Sequence, residues 1–121
     1  MWKPVLIVGL GSFAGGALRY MVSLLVRPVF GFPVQTFIVN VLGCLLIGFL
    51  YGVFSRCSAG NWCLLLTTGL CGGFTTFSTF ANESLSMLQS GNFLTFALYV
   101  GLSVLLGLAA VFAGTRLAAL L

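Results

Sequence analysis

The chain carries one carboxylate, Glu83, with no aspartate and no histidine. Acid–base catalysis needs a group to give a proton and a group to take it, and no such pair can be assigned here. Ser78 or Cys71 as a nucleophile would lack an activating base. What the sequence does supply is hydrogen-bond donors: the Asn40 amide, the hydroxyls of Thr75, Thr76, Ser78, Thr79 and Ser103, the Tyr99 phenol and the Arg19 guanidinium. Phe77 and Phe80 stand among them, and a phenyl ring is electropositive at its edge. Such an inventory suits a small anion, met by neutral donors and ring edges rather than trapped by a full charge. A lone glutamate also permits a second chemistry, proton carriage in a coupled antiporter.

The cysteines add no site. Cys44, Cys57, Cys63 and Cys71 show no CxxC spacing, and no histidine completes a metal set. Cys44 and Cys71 fall inside apolar runs and read as small hydrophobes. Cys57 and Cys63 flank a connecting segment, where pairing is open but not demanded.

The elements that must position these donors are membrane spans. Of 121 residues, 60% are hydrophobic and 5% charged, and the mean hydropathy is +1.21. The charges are Lys3, Arg19, Arg27, Arg56, Glu83 and Arg116. Several runs between them reach the roughly 20 residues that a helix needs to cross a bilayer core. The reading is an all-α membrane protein of one domain over residues 1–121. Its helices fall at about 5–26, 33–54, 62–88 and 94–115. The net charge of +4 then belongs to membrane flanks and not to a nucleic-acid surface. Lys3 followed by an apolar run has the look of a secretory signal, but the run is long enough to span and three further spans follow, so it reads as a first transmembrane helix. Arg27-Pro28 with Gly31-Phe32-Pro33, Ser55 to Asn61, and Gln89 to Asn92 supply the turns.

The third helix differs from the rest. Cys71 to Phe80 sets Gly72-Gly73 before a run of hydroxyl and aromatic residues, and the midpoint of the span falls at Thr75. Irregular backbone at that depth survives only where protein or a water-filled cavity satisfies it. A break there presents free carbonyls from one half-helix and free N–H groups from the next. Arg19, Asn40, Phe77, Phe80, Glu83 and Tyr99 all fall in one half of the membrane by their place along the spans. Thr95, Tyr99 and Ser103 repeat every four residues and share a helix face.

The residues quoted above resemble the Fluc (CrcB) family of fluoride channels along essentially the whole chain. Three motifs carry the resemblance: G-S-F-A-G-G-A-L-R-Y at Gly11 to Tyr20, T-F-I-V-N-V-L-G at Thr36 to Gly43, and G-L-C-G-G-F-T-T-F-S-T-F ending at Phe80. The resemblance implies an antiparallel, dual-topology homodimer in a bacterial plasma membrane. It would have two pores, passive export of fluoride from the cytoplasm, and a structural Na⁺ at the dimer centre. It makes Asn40 the pore asparagine, Phe77 and Phe80 the rings that meet fluoride edge-on, and Ser78 and Thr79 donors beside them. Arg19 resembles the vestibule arginine, Tyr99 and Ser103 the start of a polar track, and Gly72 and Thr75 the carbonyl contributors to the Na⁺ site. Farther along the fourth helix the track departs from the pattern, with Gly107 and Val111 where some members have hydroxyls. Small multidrug resistance antiporters share the four-helix size, but they look for their carboxylate in the first helix, where this chain has Arg19. Lys3, Arg56 and Arg116 on one side face Arg27 on the other, joined by Arg19 if that side chain reaches outward. So small a bias should not fix one orientation.

Overall fold

The computed structural model of the protein describes residues 1–58 and 60–121. Helix α1 (Trp2–Leu25) ends where Val26 turns extended, just ahead of Pro28, whose ring disfavours helical backbone before it. Helix α2 (Val34–Phe54) starts directly after Pro33, at a helix start, where proline's missing N–H and fixed φ are tolerated. The third span, Gly60–Gln89, is long and bent. Its first half, α3 (residues 60–74), opens with one ordinary turn, widens over Leu64–Cys71, where the Gly72 N–H reaches back to the Thr67 carbonyl, and closes with Gly72–Phe74. Its second half, α4 (Phe77–Gln89), follows two extended residues. After a tight turn at Gly91, with φ 77°, α5 (Phe93–Ala119) completes the chain. All four spans are long and apolar enough to cross a membrane.

The helices associate in two close pairs, α1 with α3 and α2 with α5, and α4 rests on α5 and α2. Lipid tails give no hydrophobic push between helices, so close backbone approach must hold them together. Gly15 shows what that requires: a Cβ there would strike the Leu70 carbonyl oxygen and come within 2.7 Å of the Phe74 nitrogen. Gly114 does the same for the other pair, against the Leu45 carbonyl and the Phe49 nitrogen, the latter at 2.7 Å. The buried apolar core is correspondingly small, with Val39, Leu50, Cys71, Met87, Tyr99 and Ala118 at its centre. Large side chains such as Leu10, Phe13, Leu108 and Phe112 point outward, as a lipid-facing surface demands.

The interruption of the third span lies after the glycine pair. Gly72 is helical, with φ −62° and ψ −38°, and Gly73 packs against α1, where a Cβ would sit 2.5 Å from the Ser12 carbonyl oxygen. The extended residues are Thr75 and Thr76. All four cysteines are free, Cys71 buried and Cys57 exposed.

Candidate functional site

Two extended residues inside a membrane span leave backbone groups that must be paired. The Thr75 N–H and hydroxyl both donate to the Cys71 carbonyl, at 3.0 and 2.9 Å. Thr76 is clamped by Asn40 from α2: its N–H donates to Asn40 Oδ1 at 2.8 Å, and Asn40 Nδ2 donates to its carbonyl at 3.1 Å. Arg19 Nε donates to the Gly73 carbonyl at 3.2 Å, neutralising the negative end of α3. Thr76 then caps α4, with its Oγ1 accepting from the Thr79 N–H at 3.2 Å and donating to Thr79 Oγ1 at 3.1 Å. No hydrogen bond among the described residues reaches the carbonyls of Gly72 and Thr75 or the N–H groups of Phe77 and Ser78. The break therefore presents free acceptors from α3 and free donors from α4.

A cavity lies on each side of Thr76. The larger, about 370 Å³, is lined by Asn40, Thr75, Phe77, Phe80 and Ser103, with Cys44 and other apolar neighbours. It holds no ionisable carboxyl, and Ser103 Oγ is enclosed there without a partner. The Phe77 and Phe80 rings lie 5.9 Å apart, inclined by 44°. Phe77 is 79% exposed, so this cavity opens to the outside of a single chain. The second cavity, about 250 Å³, is polar, with Arg19, Ser23, Gln35, Thr36, Thr79 and Glu83 on its walls. Ser78, Gly72 and Tyr99 line neither.

Glu83 is held rather than free. Thr36 Oγ1 donates to its Oε1 at 2.8 Å, and Tyr99 donates to its Oε2 at 2.7 Å. The Tyr99 hydroxyl hydrogen is thereby directed at the carboxylate, and the side chain is fully buried. Its ring belongs to a row that fixes Phe80: Phe37 meets Phe32 at 5.4 Å, Phe32 meets Tyr99 at 5.3 Å edge-on, and Tyr99 meets Phe80 at 5.1 Å. Such edge and tilted contacts hold rings in defined orientations.

A family described as CrcB-like protein, Camphor Resistance (CrcB), matches residues 6–115. The chain belongs to the CrcB-like family. Its relatives include a protein of Phocaeicola vulgatus, 47% identical over 93% of this chain and 95% of its own length. One from Chlorobaculum tepidum is 48% identical over 98% and 96%, and one from Oceanobacillus iheyensis is 45% identical over 96% and 92%. Each of these is named a fluoride-specific ion channel, FluC. With four spanning helices, this CrcB-like chain is a multi-pass bacterial membrane protein.

Of the residues that the sequence assigns to a pore, Asn40, Phe77, Phe80 and Ser103 line one cavity, beside Thr75, which it assigns with Gly72 to a Na⁺ site, while Arg19 and Thr79 line the other cavity. It did not single out Thr36 or the Glu83 cluster. A signal for both existed: Thr36 precedes Asn40 by one helical turn on α2, and a lone carboxylate at membrane depth must find donors. Gln35, whose Oε1 is enclosed without a partner, gave no signal of its own.

Proposed function

We propose that this chain is a passive, fluoride-selective channel that exports fluoride from the cytoplasm and so relieves its toxicity, working as an antiparallel homodimer. The observation that carries the reading is the cavity of Asn40, Phe77, Phe80 and Ser103, which offers donors and ring edges and no anionic group. Fluoride is small and holds its water tightly, so a pore must replace hydration with close donors and yet release the ion. The free N–H groups at the start of α4, the Ser103 hydroxyl and the second hydrogen of the Asn40 amide are such donors, while the Thr79 hydroxyl serves the polar cavity on the other side of Thr76. Phe77 and Phe80 contribute their electropositive edges. Arg19 draws the anion toward the polar cavity, and Tyr99 acts by holding Glu83 and Phe80 in place. The relatives' names bring the identity of the ion to a geometry that by itself favours a small anion.

What a single chain leaves open supports the dimer. Phe77 is 79% exposed beside Asn40, and a second copy would close that side. Arg19 donates to Gly73 and does not reach the first loop, which leaves Lys3, Arg56 and Arg116 against Arg27, too weak a bias to select one orientation. An antiparallel pair has its two-fold axis in the membrane plane, where mid-depth residues meet their own copies. The carbonyls of Gly72 and Thr75, free of hydrogen bonds at the end of α3, fit a structural Na⁺ there. No cluster of three or more His, Cys, Asp or Glu forms among the described residues, so neutral oxygens are the available ligands. When bound, the ion would satisfy those carbonyls inside the membrane.

The deciding experiment is fluoride efflux from proteoliposomes, with and without an imposed pH gradient. Efflux of fluoride without chloride and without dependence on the gradient is expected. Absence of efflux would end the channel reading, and flux that scales with the gradient would transfer it to a proton-coupled antiporter. Lysines added to the third loop should favour one orientation and abolish transport unless an oppositely biased copy is co-expressed.

A further inference from the structure

The turn between α1 and α2 holds a phenylalanine in a backbone conformation that phenylalanine avoids. Val29 and Phe32 exchange both backbone hydrogen bonds, at 3.0 and 2.9 Å, and close a two-residue hairpin over Phe30 and Gly31. Both central residues have positive φ, 50° for Phe30 and 79° for Gly31, and Phe30 is the one non-glycine with positive φ among the described residues. Turns of this form favour asparagine, aspartate or glycine at the first position, because a bulky side chain is strained there. Phe30 is nonetheless 101% exposed and so recovers nothing from the rest of its chain. The turn is not a loose tip either, since Phe32 is fixed by edge-on contacts at 5.4 Å to Phe37 and 5.3 Å to Tyr99. The ring is held outward by a pinned scaffold.

We infer that Phe30 is a bilayer anchor, inserted at the boundary between headgroups and acyl chains. The turn sits between the ends of two spans, which places it at that level. Val29, 52% exposed, adds apolar surface beside the ring. Arg27, exposed a few residues before it in the chain, offers a guanidinium that matches a lipid phosphate. Burial of the ring in the interface offsets its backbone strain, and aromatic residues at span ends fix a helix's depth and tilt. Through Phe32 and Tyr99, the depth of this turn is also mechanically continuous with Phe80. The inference stands apart from the transported ion and from the dimer, since it needs only that the chain spans a membrane.

Phe30→Trp in a background carrying Trp2→Phe and Trp62→Phe makes the position its own reporter in reconstituted full-length protein. Insertion predicts blue-shifted emission, with greater loss in vesicles of lipids brominated near the headgroup than in lipids brominated near the chain ends, and protection from aqueous iodide. Red emission quenched by iodide alone would overturn the inference. Blue emission untouched by either bromolipid would also overturn it, by placing the ring against a second protein copy. Should that variant fail to reconstitute, a nitroxide on Phe30→Cys, with the other cysteines replaced, gives the same decision. Relaxation by oxygen above that by a water-soluble nickel chelate supports insertion, and the reverse order refutes it.

Discussion

Replacing Asn40 by leucine keeps the side chain's approximate size and removes both hydrogen bonds to Thr76, of 2.8 and 3.1 Å. A buried backbone group left unpaired costs about 1–3 kcal/mol, so two together cost about 2–6 kcal/mol. Interhelical side-chain bonds in membranes average only about 0.6 kcal/mol, because separated helices find other partners. That discount is partial here, since Thr76 sits in extended backbone that supplies no neighbouring acceptor of its own. The chain's one escape is to rewind residues 74–77 into a continuous helix, with the Gly72 carbonyl accepting the freed Thr76 N–H and the Gly73 carbonyl the Phe77 N–H. Rewinding would rotate Phe77 and Phe80 away from their cavity. Asn40→Leu should therefore lose at least about 2 kcal/mol, a factor of order 30 in the unfolding equilibrium, and lose fluoride flux whether or not the break closes. Equilibrium unfolding in mixed micelles and proteoliposome efflux measure the two. Asn40→Asp, which keeps the acceptor for the Thr76 N–H and sets a carboxylate against its carbonyl, should fall between. A leucine variant within about 0.6 kcal/mol of the parent, with flux intact, would refute the reasoning.

Gly15→Ala should destabilise the protein by about 1–3 kcal/mol by forcing α1 from α3; Gly9→Ala and Gly101→Ala, which meet open space, should stay within about 0.5 kcal/mol in thermal unfolding. Thr36→Val and Tyr99→Phe should each cost about 1–3 kcal/mol by removing a donor from Glu83. Their double mutant should show a coupling of about 0.5 kcal/mol or more, and strict additivity would mean that the two donors do not share the carboxylate. Phe77→Ile and Phe80→Ile should both cut fluoride flux strongly. Only Phe80→Ile should also lower stability appreciably, because its ring rests on Tyr99 at 5.1 Å while Phe77 is exposed; unchanged flux in both would leave the rings as packing.

The spans were legible because bilayer thickness imposes a length that apolar runs display directly, with no partner needed to read it. The break was legible only to within a few residues. Gly72-Gly73 looks like the interruption, since glycine weakens a helix, yet both glycines are helical, and of the two only Gly73 serves the contact with α1. Thr76 can stay extended because Asn40, 36 residues earlier, supplies the hydrogen bonds that a helix would otherwise provide. No local signal records that bargain between α2 and the third span. Arg19 is a similar case: its position along α1 suggested the first loop, and its guanidinium turns inward to Gly73. Tyr99 shares a face with Thr95 and Ser103 by spacing alone, but which acceptor its hydroxyl meets depends on where α4 places Glu83. In water each of these groups would be satisfied wherever it pointed. In the membrane each must find another from a distant helix, and so the polar residues of this chain were visible in the sequence while their partners were not.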